Sequence, residues 1–346
     1  MRRFELMTTL VFAGSETNLT PREFHPLEFP VMRLAHCDTR FLRRIIVAGA
    51  LAVVAILGPA AHSASSAPAG FAFLEIPTGA RSAALGGALA TMTTGAEAMF
   101  GNVASIDPTR GIQVSGGHSE LIQSLRHDYF SVSGHAWGGG LGASMRALYS
   151  EPIDERDEVG NLIGTYGAHD LEFALGYGGH MMTDVRFGIS AQLIRERIAN
   201  EAAMTYGFGV GALWEPAGPL DFGLTVQNLG PSARYTIDGV QGEAVALPAA
   251  VQGGASYSIA AGARMSARAA LEGRFTRGRG GIGILGAEIS DVSGAALRFG
   301  VRANDDASTF SAGAGYALTG LQFDYAWVPF KLDLGDTHRI SFTAKF

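Results

Sequence analysis

The sequence has few charges, a single cysteine and only one long apolar run. Of its 346 residues, 17% are charged and 47 are glycine, which is unusual for a soluble enzyme of this size. The one cysteine, Cys37, excludes an internal disulfide, and no cysteine follows the apolar run to carry a lipoprotein anchor. The formal net charge of −6 argues against nucleic acid as a partner, because nucleic-acid binding needs a basic face.

The apolar run covers residues 45–61 and reads IIVAGALAVVAILGPAA. It follows closely spaced arginines and leads into small residues, which is the order of parts in a secretory signal peptide. With about 14–17 apolar residues it is short for a membrane anchor, the alternative, which needs about 20. We therefore predict a cleavable signal peptide over residues 40–67. Residues 1–39 are predicted to be a misassigned start or a pre-signal segment, since Met32 would open an ordinary signal peptide.

From residue 111 onward, apolar and polar residues alternate with period two. Side chains of a strand alternate between its faces, so each such segment has one apolar and one polar face. The predicted strands cover residues 111–119, 128–136, 139–150, 169–181, 184–196, 201–214, 219–228, 247–259, 265–276, 280–289, 294–303, 308–317, 320–328 and 338–346. Their polar faces carry charges that a protein core rarely accepts without partners, whereas a barrel lumen accepts them. The predicted fold class is therefore all-β: a transmembrane antiparallel β-barrel of about 14 strands over residues 111–346.

The last predicted strand reads HRISFTAKF, with Ile340, Phe342 and Phe346 on one face. A terminal strand that ends on an aromatic residue resembles the signal read by the outer-membrane barrel assembly machinery. We therefore expect two partners, outer-membrane lipid and that machinery, the latter acting on the strand that ends at Phe346.

The predicted connections differ in length between the two ends of the barrel. The long ones, 151–168, 229–246 and 329–337, all fall on one side, while inner gaps such as 182–183 and 215–218 are short. Bacterial barrels have long external loops and short periplasmic turns, so we expect the long connections outside.

Residues 68–110 lack the two-residue alternation. Their middle, 79–88, reads GARSAALGGA and is too small and too rich in glycine for a long helix. We predict a compact hatch with short helical turns, in or under the barrel mouth. An ordinary periplasmic lead-in is the alternative.

Two local patterns have both a functional and a plain interpretation. The glycines of 281–286, GIGILG, match a dinucleotide-binding pattern, but they lie inside a predicted strand that runs into a turn, so strand glycine is favoured. The acids of loop 151–168, with Asp305 and Asp306, resemble a calcium ligand set, but no EF-hand spacing is present and a solvated acidic loop is favoured.

Other polar residues carry no assigned chemistry. Arg195, Glu196 and Arg197 indicate either a lumenal or rim charge network or, as we favour, a rim that keeps the strand end in water. The nine histidines and the serines show no nucleophile elbow and no spaced Ser/His/acid set. We expect no enzyme activity, no cofactor and no metal ion, and we assign no site residue.

Several stretches, spread over the predicted mature chain, carry a family resemblance. They are FLEIPTGARSAALGGA at 73–88, GTYGAHDL at 164–171, VQNLG at 226–230, DYAWVPF at 324–330 and LGDTHRIS at 334–341. Together, and in this order, they resemble outer-membrane proteins of the PorV/PorQ type. The resemblance implies a fourteen-stranded barrel related to the FadL long-chain fatty-acid transporters, with an N-terminal segment associated with the lumen. One departure is Val103, where the family has proline after Asn102.

The resemblance and the fold together predict an integral outer-membrane barrel without a cofactor. The main expectation for its function is a docking or shuttle component of type IX-like protein secretion, with secreted cargo or other secretion subunits as partners at the long external loops. The alternative is a FadL-like passive channel for hydrophobic small molecules. A structural barrel without a transport role is a third interpretation.

Overall fold

The computed structural model describes residues 70–106, 111–237, 240–332 and 334–346. The predictions for residues 1–39 and 40–67 therefore lie outside the described residues. Within the described ranges, the strands in chain order are β1 (Gln113–Glu120), β2 (Arg126–Ala136), β3 (Gly139–Tyr149), β4 (Ile153–Arg156), β5 (Leu162–Tyr166), β6 (Ala168–Met182), β7 (Val185–Ile198), β8 (Glu201–Trp214), β9 (Leu220–Leu229), β10 (Ala233–Ile237), β11 (Val240–Val245), β12 (Ala250–Ala261), β13 (Met265–Thr276), β14 (Gly281–Asp291), β15 (Ala295–Ala303), β16 (Phe310–Leu318), β17 (Leu321–Pro329) and β18 (Asp336–Lys345).

Fourteen of these strands close into one antiparallel barrel, as predicted. The other four form two hairpins, β4 with β5 and β10 with β11. The ring is closed by β1 and β18, whose register runs from Gln113 opposite Lys345 to Glu120 opposite His338. A closed ring pairs its edge strands with each other, which a sheet inside a bilayer requires.

The predicted strand positions agree closely with the observed ones. The largest difference is at the start of β12, predicted at residue 247 and observed at Ala250. Leu247 is apolar because it is fully buried in a cluster with Phe71 and Leu74, not because it belongs to the barrel wall.

The two rims of the barrel carry connections of different length. One, here called the loop rim, carries the long connections 150–167, 230–249 and 330–335. The other, the turn rim, carries short turns such as 137–138 and also Phe346. The hairpins lie within the first two long connections and are absent from the predicted strands. Most side chains of β4, β5 and β11 are exposed, so their sequences lack the alternation that marks a barrel strand.

Side chains of the wall are sorted between lumen and outer surface as predicted. In β18, Arg339 and Ser341 face the lumen and are only 3% and 5% exposed. Ile340 and Phe342, between and beside them, face outward and are 58% and 45% exposed. Large exposed apolar side chains of this kind recur around the barrel, which is the surface that a bilayer requires of a barrel wall.

The N-terminal residues 70–106 fill the lumen as a hatch, and most of their side chains are buried. Their regular pieces are one α-helix, α1 (Ala80–Ala84), and 3₁₀ turns at Ala72–Glu75, Gly95–Phe100 and Val103–Ser105. In the described part of the chain, no helix is long and apolar enough to cross a membrane.

The hatch runs through the lumen from the loop rim to the turn rim. At its start, Phe71 and Phe73 pack in one cluster with Ile194 of β7. At its end, Ile106 lies against Gly140, the second residue of β3. The hatch therefore lies within the ring of strands along its described length.

The departure from the family pattern at Val103 leaves a formed turn. The side-chain oxygen of Asn102 accepts a hydrogen bond from the Ala104 N–H at 3.1 Å, and its amide donates to Ala90 O at 2.8 Å and Ala212 O at 2.9 Å. The Asn102 side chain thus both caps the 3₁₀ turn and ties the hatch to β8.

Candidate functional site

The barrel wall holds the hatch through a buried carboxylate. Glu272 of β13, 3% exposed, accepts hydrogen bonds from the N–H groups of Ala90 and Thr91 at 3.0 and 2.9 Å. It also accepts one from the Thr91 hydroxyl at 2.7 Å and one from the Gln252 side chain at 2.6 Å. A charged acceptor makes such hydrogen bonds stronger than neutral ones, so Glu272 is a main anchor of the hatch backbone.

Arginines of the wall bind the carbonyl groups of the hatch. Arg339 Nη1 donates to Pro77 O at 2.6 Å, and Arg302 Nε donates to Gly86 O at 2.9 Å. A backbone that forms little regular structure leaves many carbonyls without a partner, and a buried carbonyl needs one. The inward arginines that make the strands polar on one face therefore satisfy the irregular hatch.

An ion-pair network also links α1 to the wall. Arg81 makes a two-pronged contact with Glu288 of β14, at 2.9 and 3.0 Å. Arg298 of β15 bridges Glu288 at 2.5 Å and Asp324 of β17 at 2.7 Å. These charges face the lumen, where hatch and wall neutralise each other.

Inward glycines let the last part of the hatch lie against the wall. A Cβ atom added at Gly188 of β7 would lie 2.6 Å from Ala104 N and from Val103 C, both backbone atoms. Gly176 of β6 is similarly close to the side chains of Met99 and Val103. The described hatch segment near the turn rim is therefore packed tightly against β6 and β7.

A cavity of about 860 Å³ lies at the opposite end, between the start of the hatch and the loop rim. Its apolar lining comes from the hatch, the 121–125 and 330–335 connections and the strand ends near the loop rim: Phe73, Ile76, Leu121, Ile122, Leu125, Leu148, Ile282, Val328, Phe330 and Leu334. Its charged lining consists of Glu75, Arg274, Arg279, Arg302, Asp305, Asp306 and Arg339. A volume of this size and a mostly apolar lining are typical of sites for small molecules.

Two arginines of the cavity have no acidic partner among the described residues. Arg274 and Arg339 are 7% and 3% exposed, and neither forms an ion pair with a described residue. Nη2 of Arg274 and Nε of Arg339 are buried without any hydrogen-bond partner in the described chain. Since an unsatisfied buried N–H is costly, these two groups are donors that a water molecule or an anion in the cavity can satisfy.

The other two arginines of the cavity are neutralised by acids. Arg302 Nη1 lies 2.6 Å from Asp305, and Arg279 Nε lies 3.1 Å from Glu75. Burial raises the pKa of Glu75, while the nearby Arg279 acts in the opposite direction. Arg274 and Arg339 are therefore the two cavity arginines that form no ion pair with a described residue, although Glu75 is near enough to attract Arg274.

The glycine motif and the acidic loop noted in the sequence have structural roles. The glycine motif 281–286 lies in β14, as favoured. Asp157 of the acidic loop accepts hydrogen bonds from the Val159 and Asn161 N–H groups at 3.0 and 2.8 Å and so stabilises the hairpin turn. No group of three or more metal-ligating side chains is found among the described residues.

The charge run at 195–197 is divided between the two faces of β7. Glu196 faces the lumen and accepts a hydrogen bond from Tyr235, whereas Arg195 and Arg197 are exposed on the outer face. The three residues therefore form no common network.

The cavity has no signature in the amino-acid sequence. Arg339 was expected on a polar face, but its partners depend on where the hatch carbonyls lie, and those lie far away in sequence. The residues of the cavity come from the hatch, from connections and from several strand ends. The cavity arginines could be recognised as a group only if the position of each one between the two rims of the barrel were known.

Comparison of the chain with known proteins finds similarity in three-dimensional structure and none in sequence families. No protein-family model matches it, and no curated protein matches it either. The solved toluene transporter TodX of Pseudomonas putida matches with a TM-score of 0.56 and 12% identity, over 78% of this chain and 98% of TodX. The toluene transporter TbuX of Ralstonia pickettii matches with 0.54 and 13%, over 78% of this chain and 98% of TbuX. The monoaromatic hydrocarbon channel CymD matches with 0.54 and 14%, over 78% and 97%.

Identities this low show a shared fold alone. The chain shares the barrel fold of these solved structures, which agrees with the architecture implied by the resemblance. The narrower PorV/PorQ resemblance stays a prediction.

Proposed function

We propose that the chain is an outer-membrane channel for hydrophobic small molecules and that its cavity takes molecules with an apolar body and an anionic group. The observation that carries the proposal is the cavity of about 860 Å³ with an apolar lining and two buried arginines that lack acidic partners. The sequence predicted a passive channel for hydrophobic small molecules as the alternative function. The proposal narrows these molecules to ones that also carry an anionic group.

The shared fold supports a transport role in the outer membrane. Structures with this fold include toluene transporters and a monoaromatic hydrocarbon channel. Long connections at one rim, short turns at the other and an apolar outer belt suit a barrel whose loop rim faces outside. In this orientation the cavity opens to the exterior, where a ligand arrives.

The chemistry of the cavity favours an amphipathic anion over a neutral hydrocarbon. Transfer of apolar surface into the cavity stabilises the complex by about 25 cal/mol per Å². Arginine forms charge-assisted hydrogen bonds with carboxylate, phosphate or sulfonate oxygens. Arg274 and Arg339 have the free N–H groups for such bonds.

Passage through the barrel requires the hatch to rearrange. Residues 99–106 lie against inward glycines of the wall near the turn rim. A ligand in the cavity therefore has hatch backbone below it. Arg339 contacts both the cavity and the carbonyl of Pro77, so an anion that binds Arg339 competes with a hatch contact.

Titration of the purified barrel with dodecanoate, dodecanol and dodecyltrimethylammonium tests the proposal. Dodecanoate should bind best to the wild type, and the double variant R274Q/R339Q should bind it about a hundredfold more weakly or worse, since each of the two lost hydrogen bonds to a charged group contributes about 1.5–3 kcal/mol. Dodecanol binding should change little. The control R156Q alters an exposed arginine of the β4–β5 hairpin that pairs with Asp154.

Equal binding of the three detergent-like probes, or unchanged dodecanoate binding by R274Q/R339Q, would remove the anion preference. Absence of binding by all three would remove the channel itself. The secretion role, its cargo partners and recognition of Phe346 by the assembly machinery stay predictions. We propose no catalytic step.

A further inference from the structure

The outer face of β7 ends at the loop rim in two arginines, Arg195 and Arg197. Arg195 lies opposite Leu171 of β6 and Met204 of β8. Arg197 lies one row higher, opposite His169 of β6 and Ala202 of β8. Both arginine side chains are exposed on the surface that the bilayer covers.

These arginines lie at the upper edge of the apolar belt. Phe187, Ile189 and Leu193 precede Arg195 on the same face and are 39%, 63% and 46% exposed. The path from Phe187 to Arg195 is about 27 Å along the strand, from its rise per residue. A strand tilt of about 40° reduces this to about 20 Å along the membrane normal, close to the roughly 25 Å height of the belt. An arginine at this level extends its charged end to the lipid head groups while its stem covers apolar neighbours.

The positive charges of Arg195 and Arg197 are not neutralised by acidic side chains of the described chain. Arg195 has no hydrogen-bond or ion-pair partner among the described residues, and Arg197 Nε donates only to the carbonyl of Ala199, at 2.9 Å. The neighbouring acids on the same strands, Glu196 of β7 and Asp170 of β6, lie on the lumen face. The positive charge therefore faces the lipid without an acidic neighbour on the same face.

Another arginine provides a contrast within the same barrel. Arg126, at the loop-rim end of β2, also belongs to the outer face, but its Nη2 lies 2.6 Å from Glu151. Among the described residues, the outer faces of the barrel strands carry no lysine or arginine other than these three. The unneutralised charge is confined to β7.

We propose that Arg195 and Arg197, with His169 beside them, bind a phosphate group of a phosphorylated glycolipid in the outer leaflet. Guanidinium groups match phosphate oxygens with two parallel hydrogen bonds, which a lipid with a neutral head cannot receive. The exposed Leu193, one row below Arg195, and the exposed Met204, beside Arg195, offer an apolar surface for acyl chains of the same lipid. The site lies on the outer wall, and it does not depend on the function proposed for the lumen.

Native mass spectrometry of the detergent-purified barrel with added bisphosphorylated lipid A tests the site. The wild type should retain the lipid, and R195Q/R197Q should retain it at least about tenfold less, because both guanidinium groups lose their charge-assisted hydrogen bonds to phosphate. R126Q should bind as the wild type does, since Glu151 already neutralises that arginine. Lipid A stripped of both phosphates should bind weakly to every variant.

Three outcomes would overturn the proposal. They are unchanged lipid A retention by R195Q/R197Q, an equal loss in R126Q, and equal retention of phosphatidylglycerol by the wild type, which would point to a general anionic-lipid surface. Each variant is first checked for the faster gel migration of an unheated, folded barrel. If R195Q/R197Q does not fold, R195Q alone is compared with R126Q under the same criteria.

Discussion

The two ends of the lumen differ in how the hatch meets the wall. Near the loop rim, hatch and wall leave a cavity of about 860 Å³, and two of its arginines, Arg274 and Arg339, each have a buried N–H group without a hydrogen-bond partner in the described chain. Near the turn rim, Met99, Val103 and Ile106 pack in one cluster with Ala174 of the wall. The same hatch therefore forms both the floor of the cavity and the tightly packed seal below it.

The difference follows from the size of the inward residues. Strand positions beside the cavity carry long side chains, such as Arg274 and Arg339, which hold the hatch away from the wall. Positions beside residues 99–106 are glycines: Gly140, Gly142, Gly176, Gly178, Gly188 and Gly211. Long polar side chains make a space that a ligand can enter, and glycines remove that space.

Filling one of these glycines should break the seal and have the largest effect. In G188V the new Cβ meets hatch backbone atoms at 2.6 Å, so residues 103–104 must move. Overpacking of this kind costs about 1–3 kcal/mol. We expect a clear rise in single-channel conductance in planar bilayers.

The matched control for this change is G283V, on the outer face of β14. Its new Cβ would lie 3.6 Å from the Ala303 Cβ, an ordinary contact. Its conductance should stay at the wild-type level. Equal conductance of G188V and wild type would show that the glycine contact does not seal the lumen.

Removal of the Glu272 anchor should loosen the hatch locally, with a smaller effect on the opening of the lumen than the break of the seal. E272A leaves the N–H groups of Ala90 and Thr91 without acceptors, at a total cost of about 2–6 kcal/mol, since each buried unsatisfied donor costs about 1–3 kcal/mol. Amide hydrogen exchange at residues 88–93 should become faster.

The control E243A removes an exposed acid of β11 and should leave hatch exchange unchanged. Unaltered exchange at residues 88–93 in E272A would mean that packing alone fixes the hatch. The comparison of the two ends would then rest on the glycines only.

The smallest effect concerns a buried acid of the hatch, Glu97. Burial raises its pKa above the usual 4.5, and the nearby Asp324 acts in the same direction, while Arg81 opposes. Its carboxyl accepts hydrogen bonds from Tyr129 at 2.9 Å and Ser115 at 3.2 Å. A raised pKa in the folded state means that stability is fully present below the unfolded pKa and falls as pH rises toward the folded pKa.

E97Q keeps the acceptor oxygen and removes this titration. The temperature at which the folded band disappears on gels should therefore fall less with rising pH in E97Q than in the wild type. Parallel pH curves for the two proteins would contradict the assignment.

Much of the fold could be predicted from the sequence because a barrel wall imposes a simple rule. Each residue faces either lipid or lumen, so alternation such as Arg339, Ile340, Ser341 and Phe342 fixes both strand and face. The rule fails for β4 and β11, because a hairpin in water has no lipid-facing side. It also fails at Leu247, whose apolar character serves the hatch cluster.

The site could not be predicted in the same way. The glycine-rich segment 79–88 predicted a compact hatch, but not which carbonyls would need donors. Whether an inward arginine binds a hatch carbonyl, pairs with an acid or lies free in a cavity depends on contacts across the whole chain. Arg302 and Arg339 are both inward arginines of a barrel strand, and each binds a hatch carbonyl. They differ because Arg302 also pairs with Asp305, whereas Arg339 has no such acid among the described residues.

The central claim is that the lumen is open to the loop rim and sealed toward the turn rim, and cysteine labelling in intact cells tests it most directly. Single cysteines replace Leu125, in the cavity lining, or Ala98, fully buried in the sealed cluster, in a C37S background. A membrane-impermeant maleimide should label L125C, and dodecanoate should slow this labelling. A98C should be labelled only in combination with G188V. Labelling of A98C as fast as L125C, in a barrel that still migrates as folded, would contradict the account.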